Sequence, residues 1–385
     1  MQSKPPQVDD SHRMMSPPLD MPPRLLLGPG PSNLYPRVQQ ALVMHEVGHM
    51  DPRFFELMNE SQELLRYLWQ TDNRFTIPIS GTGTSAMEAA LANCIEPGDV
   101  VVIGVNGYFG ERLCEIASRY GAVVHRIEKP WGEVFSLDEI GSALETHKPA
   151  ILGLVHGETS TGALHPMQGI GKLCREFNCL LLLDTVTSLG GTPIFLDQWH
   201  VDIAYSCSQK CLSCPPGISP LTLGHRAMEK VNNRKTKVAN WYLDANLLGK
   251  YWGSERIYHH TAPINMNYAL REALRLVAEE GLENRWQRHR ANAELLWQGL
   301  KDLGIECHVA KEFRLPSLTT ARVPSGVDSK AVSGYLLQNY NIEIAAGLGQ
   351  LAGKVWRIGL MGFNSRAENV VLLLEALKKA LKVTS

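Results

Sequence analysis

The chain has 385 residues, of which 44 % are hydrophobic and 20 % charged, and its formal net charge is −1. This length exceeds the roughly 100–200 residues of a usual single domain, so two domains are expected. The near-neutral charge excludes the strongly basic composition of nucleic-acid-binding proteins, and no apolar run reaches the roughly 18 residues of a membrane span.

Residues 1–23 form the first predicted segment, and their composition excludes a regular helix. Three proline pairs occur at positions 5–6, 17–18 and 22–23, and a proline inside a helix removes a hydrogen bond and clashes with the preceding turn. The segment is predicted to be either a disordered tail or an arm on a partner subunit. The start, MQSKPPQVDD, has no apolar signal region, and the end, KVTS, is not the peroxisomal SKL signal, so a cytoplasmic location is expected.

From about residue 35, short apolar strands alternate with helices. Strands are predicted at Val100–Val105, Ala150–Val155 and Cys179–Asp184, and a helix at 56–70, where apolar side chains recur along one face. This alternation is typical of an α/β fold with a mostly parallel sheet between layers of helices. We therefore predict a large domain over residues 24–280, with ligands at the carboxyl ends of its strands.

After Asn267 the pattern changes to long amphipathic helices, predicted at Tyr268–Glu280 and Glu283–Leu303. Short strand-like segments follow, and a last helix is predicted over about Ala367–Leu381. This pattern predicts a smaller C-terminal α+β domain over residues 281–385.

Three features each follow a predicted strand closely. Ser80–Ser85 (SGTGTS) opens a helix, whose free N–H groups can bind a phosphate while the glycines let the backbone approach closely. Asp184 ends the apolar run CLLLLD, where a carboxylate needs a partner. Lys210 lies among small residues in YSCSQKCLSCPPG, and partial burial lowers a lysine pKa toward the range of a nucleophile or base. Taken singly, they also fit a tight turn, a helix cap and a surface charge.

Together and in this order, the three features suit pyridoxal 5'-phosphate (PLP), which needs a phosphate cradle, a carboxylate at its ring nitrogen and a Schiff-base lysine. From about residue 24 to the end, the sequence resembles the class V aminotransferases of PLP fold type I, most closely their alanine–glyoxylate and serine–pyruvate branch. The matching stretches include SGTGTSAMEAAL, HGETSTG, LLLDTVTSLGGTP, YSCSQKCLSCPPG and GKVWRIGLMG. The resemblance implies a large PLP-binding domain with a mostly parallel sheet between helices, plus a smaller C-terminal domain.

The resemblance also implies roles for individual residues. Lys210 and Asp184 would be catalytic, with Lys210 as Schiff-base lysine and proton shuttle and Asp184 at the ring nitrogen. Arg357 would bind the substrate carboxylate beside Gly28 and Thr159. The residues implied to bind the cofactor are Gly83, Thr84, Ser85, Phe109, Thr159, Asp184, Val186, Gln209, Lys210, Tyr258 and Thr261.

The activity implied is a ping-pong transamination, through aldimine and ketimine stages, from alanine or serine to glyoxylate. The implied partners are small amino acids and 2-oxo acids, and a homodimer with shared active sites in which Tyr258 and Thr261 reach the other subunit's cofactor. Alternatives are a 3-hydroxykynurenine transaminase, a PLP lyase or hydrolase such as a cysteine desulfurase, and a PLP-fold protein without catalysis. A desulfurase needs a nucleophilic cysteine on a mobile loop, and residues 308–385 contain no cysteine.

Cys207, Cys211 and Cys214 are candidate metal ligands. One CxxC with a single further cysteine lacks the second ligand pair of a typical zinc site, so no metal is expected. The eight cysteines are expected to be free thiols.

Overall fold

The computed structural model describes residues 8–384 of the chain. Residues 8–23, part of the predicted N-terminal segment, are exposed and form no helix or strand. Residues 1–7 of that prediction lie outside the described residues. Within the described part of the chain, no helix combines the length and apolar composition needed to cross a membrane.

Helices and strands alternate along the chain, as predicted. The helices are α1 (Pro36–Leu42), α2 (Pro52–Trp69), α3 (Gly83–Cys94), α4 (Tyr108–Arg119), α5 (Leu137–His147), α6 (Ile170–Glu176), α7 (His225–Asn232), α8 (Ala245–Trp252), α9 (Ile264–Glu280), α10 (Leu282–Asp302), α11 (Ser329–Tyr340) and α12 (Ala367–Thr384).

The strands are short, and most follow or precede one of these helices directly. They are β1 (Leu25–Leu26), β2 (Phe75–Ser80), β3 (Val100–Val105), β4 (Val123–Glu128), β5 (Ile151–Val155), β6 (Gly157–Glu158), β7 (Ala163–Leu164), β8 (Leu180–Asp184), β9 (Ile203–Tyr205), β10 (Ile218–Leu223), β11 (Leu318–Arg322), β12 (Ile342–Glu343), β13 (Ala345–Ala346) and β14 (Val355–Gly359).

A seven-stranded sheet forms the centre of the fold, in the order β2-β10-β9-β8-β5-β3-β4. Its neighbours from β9 to β4 are parallel, and only β10 runs antiparallel, to both β2 and β9. The predicted fold class, a mostly parallel sheet between helices, is therefore confirmed. The carboxyl ends of β2, β3, β5, β8 and β9 lie along one edge, called here the carboxyl edge.

The four leucines of β8 show why this strand lies in the middle of the sheet. Leu180 and Leu182 belong to the hydrophobic core on one face of the sheet, whereas Leu181 and Leu183 belong to the core on the other. Side chains of a strand point alternately to opposite faces, so a continuous apolar run is stable only where both faces are covered.

Pro220 explains where the chain leaves the sheet toward Lys210. The Ser206 N–H donates to the Pro220 carbonyl at 2.9 Å, but proline has no N–H to return a hydrogen bond. Pairing between β9 and β10 ends at Tyr205 and Leu221. The segment after Tyr205 is thus free to turn out of the sheet at the carboxyl edge.

The C-terminal region has a core of its own, built from α10, α11, α12 and a three-stranded sheet in the order β11-β14-β13. Leu27 is fully buried in this core, and β1 pairs in parallel with β12. Gly281, with φ of 80°, separates α9 from α10. The division into domains 24–280 and 281–385 stays a prediction.

Candidate active site

The carboxyl edge brings together most of the residues that the sequence singled out. A side chain built at Gly83 would place its Cβ 2.9 Å from Cys207 Cβ and 3.9 Å from Val186 Cγ2, so the segments after β2, β8 and β9 are in contact. Each strand of the carboxyl edge is followed by predicted site residues: Gly83, Thr84 and Ser85 after β2, Phe109 after β3, Thr159 after β5, Val186 after β8, and Gln209 and Lys210 after β9.

Lys210 is buried, with a relative exposure of 9 %. Its Nζ donates a hydrogen bond to the Pro29 carbonyl, and a Cβ at Gly30 would lie 2.7 Å from Nζ. Ser32 Oγ donates to the Lys210 carbonyl at 2.8 Å. The segment LGPGPS, from Leu27 to Ser32, therefore lies against the lysine.

Burial lowers the pKa of Lys210, and the positive charge of Arg357 acts in the same direction. Loss of hydration disfavours the ammonium form of a buried lysine. A larger fraction of the amine is thus neutral near pH 7, which is the form that can act as a nucleophile or a base.

Asp184 ends β8 and is buried. Its Oδ2 accepts a hydrogen bond from the Tyr205 hydroxyl at 2.7 Å, and its Oδ1 accepts one from the Val186 N–H at 2.8 Å. Burial raises the pKa of Asp184 to about 7, and the nearby Glu158 acts in the same direction while Lys210 opposes it. The carboxylate is held in one orientation, and its charge would be stabilised by a cationic ligand.

Glu158 is a second buried carboxylate at this edge, which the sequence analysis did not single out. Its oxygens accept hydrogen bonds from the Phe109 N–H at 3.1 Å and the Ser160 N–H at 2.9 Å. Burial raises its pKa. Because Phe109 lies in the first turn of α4, Glu158 fixes the start of that helix and the position of the Phe109 backbone. Its position three residues after the end of the buried strand β5 was the available signal.

The glycine-rich turn Gly81–Ser85 leads from β2 into α3. The helix begins at Gly83, and no side chain caps its N-terminus, so backbone N–H groups of its first turn have no partner within the helix. Gln209 Oε1 is buried and has no hydrogen-bond partner among residues 8–384. The free N–H groups at the start of α3 are donors available for an anion. The role of Gln209 in binding it stays a prediction.

Thr159 and Thr187 share a short hydrogen bond between their buried hydroxyl groups. Thr187 was not singled out from the sequence, although it follows Asp184 by three positions. Val186, which directly precedes Thr187, is half-buried. The turn after β8 therefore contributes several side chains to the site.

Arg357 lies in β14, opposite Thr320 of β11 and Ala345 of β13. It is buried, and its Nε donates to the Ala346 carbonyl at 2.9 Å. Burial lowers the pKa of Arg357 to about 10, while the negative charge of Glu158 opposes this. A Cβ at Gly28 would lie 3.9 Å from Ala345, so Gly28 and Arg357 both adjoin β13.

Tyr258 and Thr261 are exposed on this chain. The Tyr258 ring packs against His49, with ring centroids 5.2 Å apart. Their assignment to a neighbouring subunit's site stays a prediction.

Arg285, to which the sequence analysis assigned no role, is fully buried. Its guanidinium donates to the carbonyl of Gly190 at 2.8 Å and to that of Cys211, and it forms an ion pair with Glu280 at 2.6 Å. Gly190 lies in the turn after β8, and Cys211 follows Lys210. One side chain thus connects the segments that carry Asp184 and Lys210.

We expect Arg285→Ala to lower the free energy of unfolding by about 3–5 kcal/mol, because two buried carbonyls and a partly buried carboxylate lose their donor. Chemical denaturation measures this change. The control is Arg290→Ala on the same helix, where a half-exposed ion pair with Glu294 is worth less than about 1 kcal/mol. Equal losses in the two variants would contradict the connecting role.

All eight cysteines are free thiols, and seven of them are buried. Burial raises the pKa of Cys207 to about 12. Over residues 8–384, no three His, Cys, Asp or Glu side chains are grouped as ligands of a metal ion.

Comparisons with known proteins agree with this arrangement. The family model described as Aminotransferase class-V matches residues 32–372. Alanine–glyoxylate aminotransferase of Rattus norvegicus is 48 % identical over 372 residues, which cover 96 % of this chain and 90 % of that protein. The crystal structure of alanine–glyoxylate aminotransferase from Nostoc sp. has a TM-score of 0.96 and 65 % identity, and the match covers 97 % of this chain and all of that one.

A third relative differs in its amino donor. The crystal structure of ureidoglycine–glyoxylate aminotransferase from Bacillus subtilis has a TM-score of 0.94 and 42 % identity, with 96 % of this chain and 95 % of that one covered. The resemblance inferred from the motifs is thereby confirmed. The chain belongs to the class V aminotransferase family.

Proposed function

We propose that this protein is a PLP-dependent transaminase that transfers the amino group of alanine, or of serine, to glyoxylate. The observation that carries the proposal is a buried lysine of lowered pKa, Lys210, on the same sheet edge as the fixed carboxylate of Asp184. Glyoxylate as acceptor is supported by the three relatives above, whose names all specify it.

The residues of this edge fit PLP. Among residues 8–384, no side chain caps the start of α3, so its first backbone N–H groups can donate to a phosphate. Gln209 would donate its side-chain amide N–H groups to the same phosphate. At Gly83 a side chain would collide with Cys207, so a glycine is needed for the start of α3 to lie this close to the segment that leads to Lys210. A buried amine and a fixed carboxylate complete the set of groups that the cofactor's aldehyde and ring nitrogen require.

When bound, PLP supplies an aldehyde carbon that bonds to amines and a ring that withdraws electrons from the substrate. Lys210 would hold the cofactor through its Nζ, and as a free amine the same nitrogen would take the proton from the substrate's α-carbon. Asp184 would hold a proton on the ring nitrogen, and the hydrogen bonds from Tyr205 and Val186 keep its carboxylate in place. Phe109 offers an aromatic face for stacking.

Arg357 binds the carboxylate that alanine, serine and glyoxylate have in common. A guanidinium binds a carboxylate through two parallel hydrogen bonds. Its Nε is already used by Ala346, so the two terminal nitrogens are the ones to bind substrate. Gly28, Ala345 and Ala346 leave little bulk beside it, which favours amino acids and 2-oxo acids with small side chains.

A homodimer with shared sites is part of the proposal. Tyr258 is 57 % exposed, Ile257 50 % and Trp241 61 %. Large apolar side chains exposed together are typical of a protein interface. A second copy of the chain would cover them and would bring Tyr258 and Thr261 toward the partner's cofactor.

The experiment is a panel of donors and acceptors with purified, PLP-loaded protein. Alanine, serine, ureidoglycine, 3-hydroxykynurenine and cysteine are tested with glyoxylate and with pyruvate. We expect alanine or serine with glyoxylate to give the highest kcat/KM, and glycine as a product. Glyoxylate-independent sulfide release from cysteine, or no glycine formation with any donor, would overturn the proposal.

A further inference from the structure

The phosphate cradle that the family resemblance implies contains no charged residue. Its members are Gly83, Thr84, Ser85, Gln209, Tyr258 and Thr261. His260 adjoins the same turn, since its Nε2 lies 2.7 Å from Ser80 Oγ. Burial lowers the pKa of His260 to about 4, so this imidazole is neutral at pH 7. A phosphate monoester, however, carries close to two negative charges at that pH.

Arg112 is a cationic side chain that reaches this turn. Its Nη1 donates to Thr84 Oγ1 at 3.2 Å, and Thr84 lies in the first turn of α3. The guanidinium carbon also lies 4.9 Å from the centroid of the Phe109 ring. Arg112 therefore bridges the phosphate turn and the aromatic residue proposed to stack on the cofactor ring.

The charge of Arg112 has no carboxylate partner among the described residues. The adjacent Glu111 pairs instead with Arg126, at 2.7 Å. Arg119, on the same helix, pairs with Glu115. An unpaired guanidinium beside the uncapped start of a helix forms an electropositive site for an anion.

We propose that Arg112 supplies the positive charge that compensates the phosphate group of the cofactor. This inference rests on the proposed PLP function. Arg112 acts here as a binding residue for the phosphate, and its stacking on Phe109 keeps the guanidinium beside Thr84.

The test compares two probes, PLP and its unphosphorylated analogue pyridoxal. Full-length protein is freed of cofactor and titrated with each, and absorbance reports formation of the covalent bond to the lysine. We expect Arg112→Gln to weaken PLP binding about tenfold, the order of one charge-assisted hydrogen bond, and to change pyridoxal binding less than about twofold. Arg112→Lys, which keeps the charge, should recover most of the affinity for PLP.

Arg119→Gln is the matched control, because Arg119 is an exposed arginine of the same helix, and it should bind both probes as the unmodified protein does. Equal weakening of PLP and pyridoxal by Arg112→Gln would mean that Arg112 acts only by supporting Phe109, and would overturn the inference. Unchanged PLP binding in Arg112→Gln, or no recovery in Arg112→Lys, would overturn it as well. Failure of the unmodified protein to bind PLP would instead refute the proposed function.

Discussion

Lys210→Ala is expected to lower kcat for transamination by at least about 10⁴-fold, because the variant loses both its covalent link to the cofactor and its base. The fold should survive. The segment around Lys210 is fixed through its backbone, which the substitution keeps: the Lys210 carbonyl accepts hydrogen bonds from Ser32 Oγ at 2.8 Å and from the Ser213 N–H at 3.0 Å. Single-turnover kinetics with alanine would measure the loss.

Lys172→Ala is the matched control, since Lys172 is an exposed lysine on α6, and it should retain full activity. Added methylamine should restore part of the activity of Lys210→Ala by acting as a diffusible base. Turnover of Lys210→Ala within tenfold of the unmodified protein would contradict the assigned role.

Asp184→Asn is expected to have the second largest effect, a fall in kcat of about 10³-fold, similar to that seen when a preorganised charge is removed from an active site. The amide keeps the size of the side chain and can still hydrogen-bond to Tyr205 and Val186. It has no negative charge, so it cannot hold a proton on the ring nitrogen. Steady-state kinetics would measure the loss, and a change of less than tenfold would contradict the role.

Although it lowers kcat, Asp184→Asn should raise the stability of the cofactor-free protein. Burial raises the pKa of Asp184 to about 7 in the folded chain, so between roughly pH 4 and 7 the folded state holds a proton that the unfolded chain has lost. Stability therefore falls as pH rises through this window. Asp184→Asn removes that cost, on the order of 4 kcal/mol above pH 7. Denaturation at pH 5 and pH 8 would reveal it, and a variant less stable at both values would refute the argument.

The sequence predicts best where one local property decides the structure. The run Leu180–Leu183 is apolar at every position, and it forms a strand covered on both faces. Asp184 and Lys210 could be located because each follows such a strand closely. The helix predicted at 56–70 begins earlier, at Pro52, because Asp51 caps it by accepting from the Arg53 N–H at 2.8 Å.

Strand β10 was not predicted, because its composition conflicts with its position. Pro220 lies in an interior strand, where proline is normally excluded. It lies opposite Pro78 of β2, and on its other side the strand β9 has already ended at Tyr205. The missing N–H of Pro220 therefore breaks no hydrogen-bonded pair of strands. Sequence alone cannot show this, because the pairing joins residues more than 140 positions apart.

The residues that hold the site together were also missed, for a related reason. Glu158 contacts the backbone at Phe109, Arg112 contacts Thr84, and Arg285 contacts the carbonyls of Gly190 and Cys211. The position of Glu158 soon after a buried strand was a sequence signal for that residue. The contacts themselves join segments far apart in the sequence, and no spacing or composition marks them. The chemistry of the site could be inferred from sequence motifs. The contacts that support it could be identified only once the three-dimensional structure was known.

The central claim is that the ε-amino group of Lys210 carries the cofactor. Reduction of the PLP-loaded protein with borohydride makes the carbon–nitrogen bond permanent, and peptide mass spectrometry then locates the modified residue. The account predicts one pyridoxyl group per chain, on the peptide that contains Lys210. A catalytically active protein that carries this group on another lysine, or on none, would contradict it.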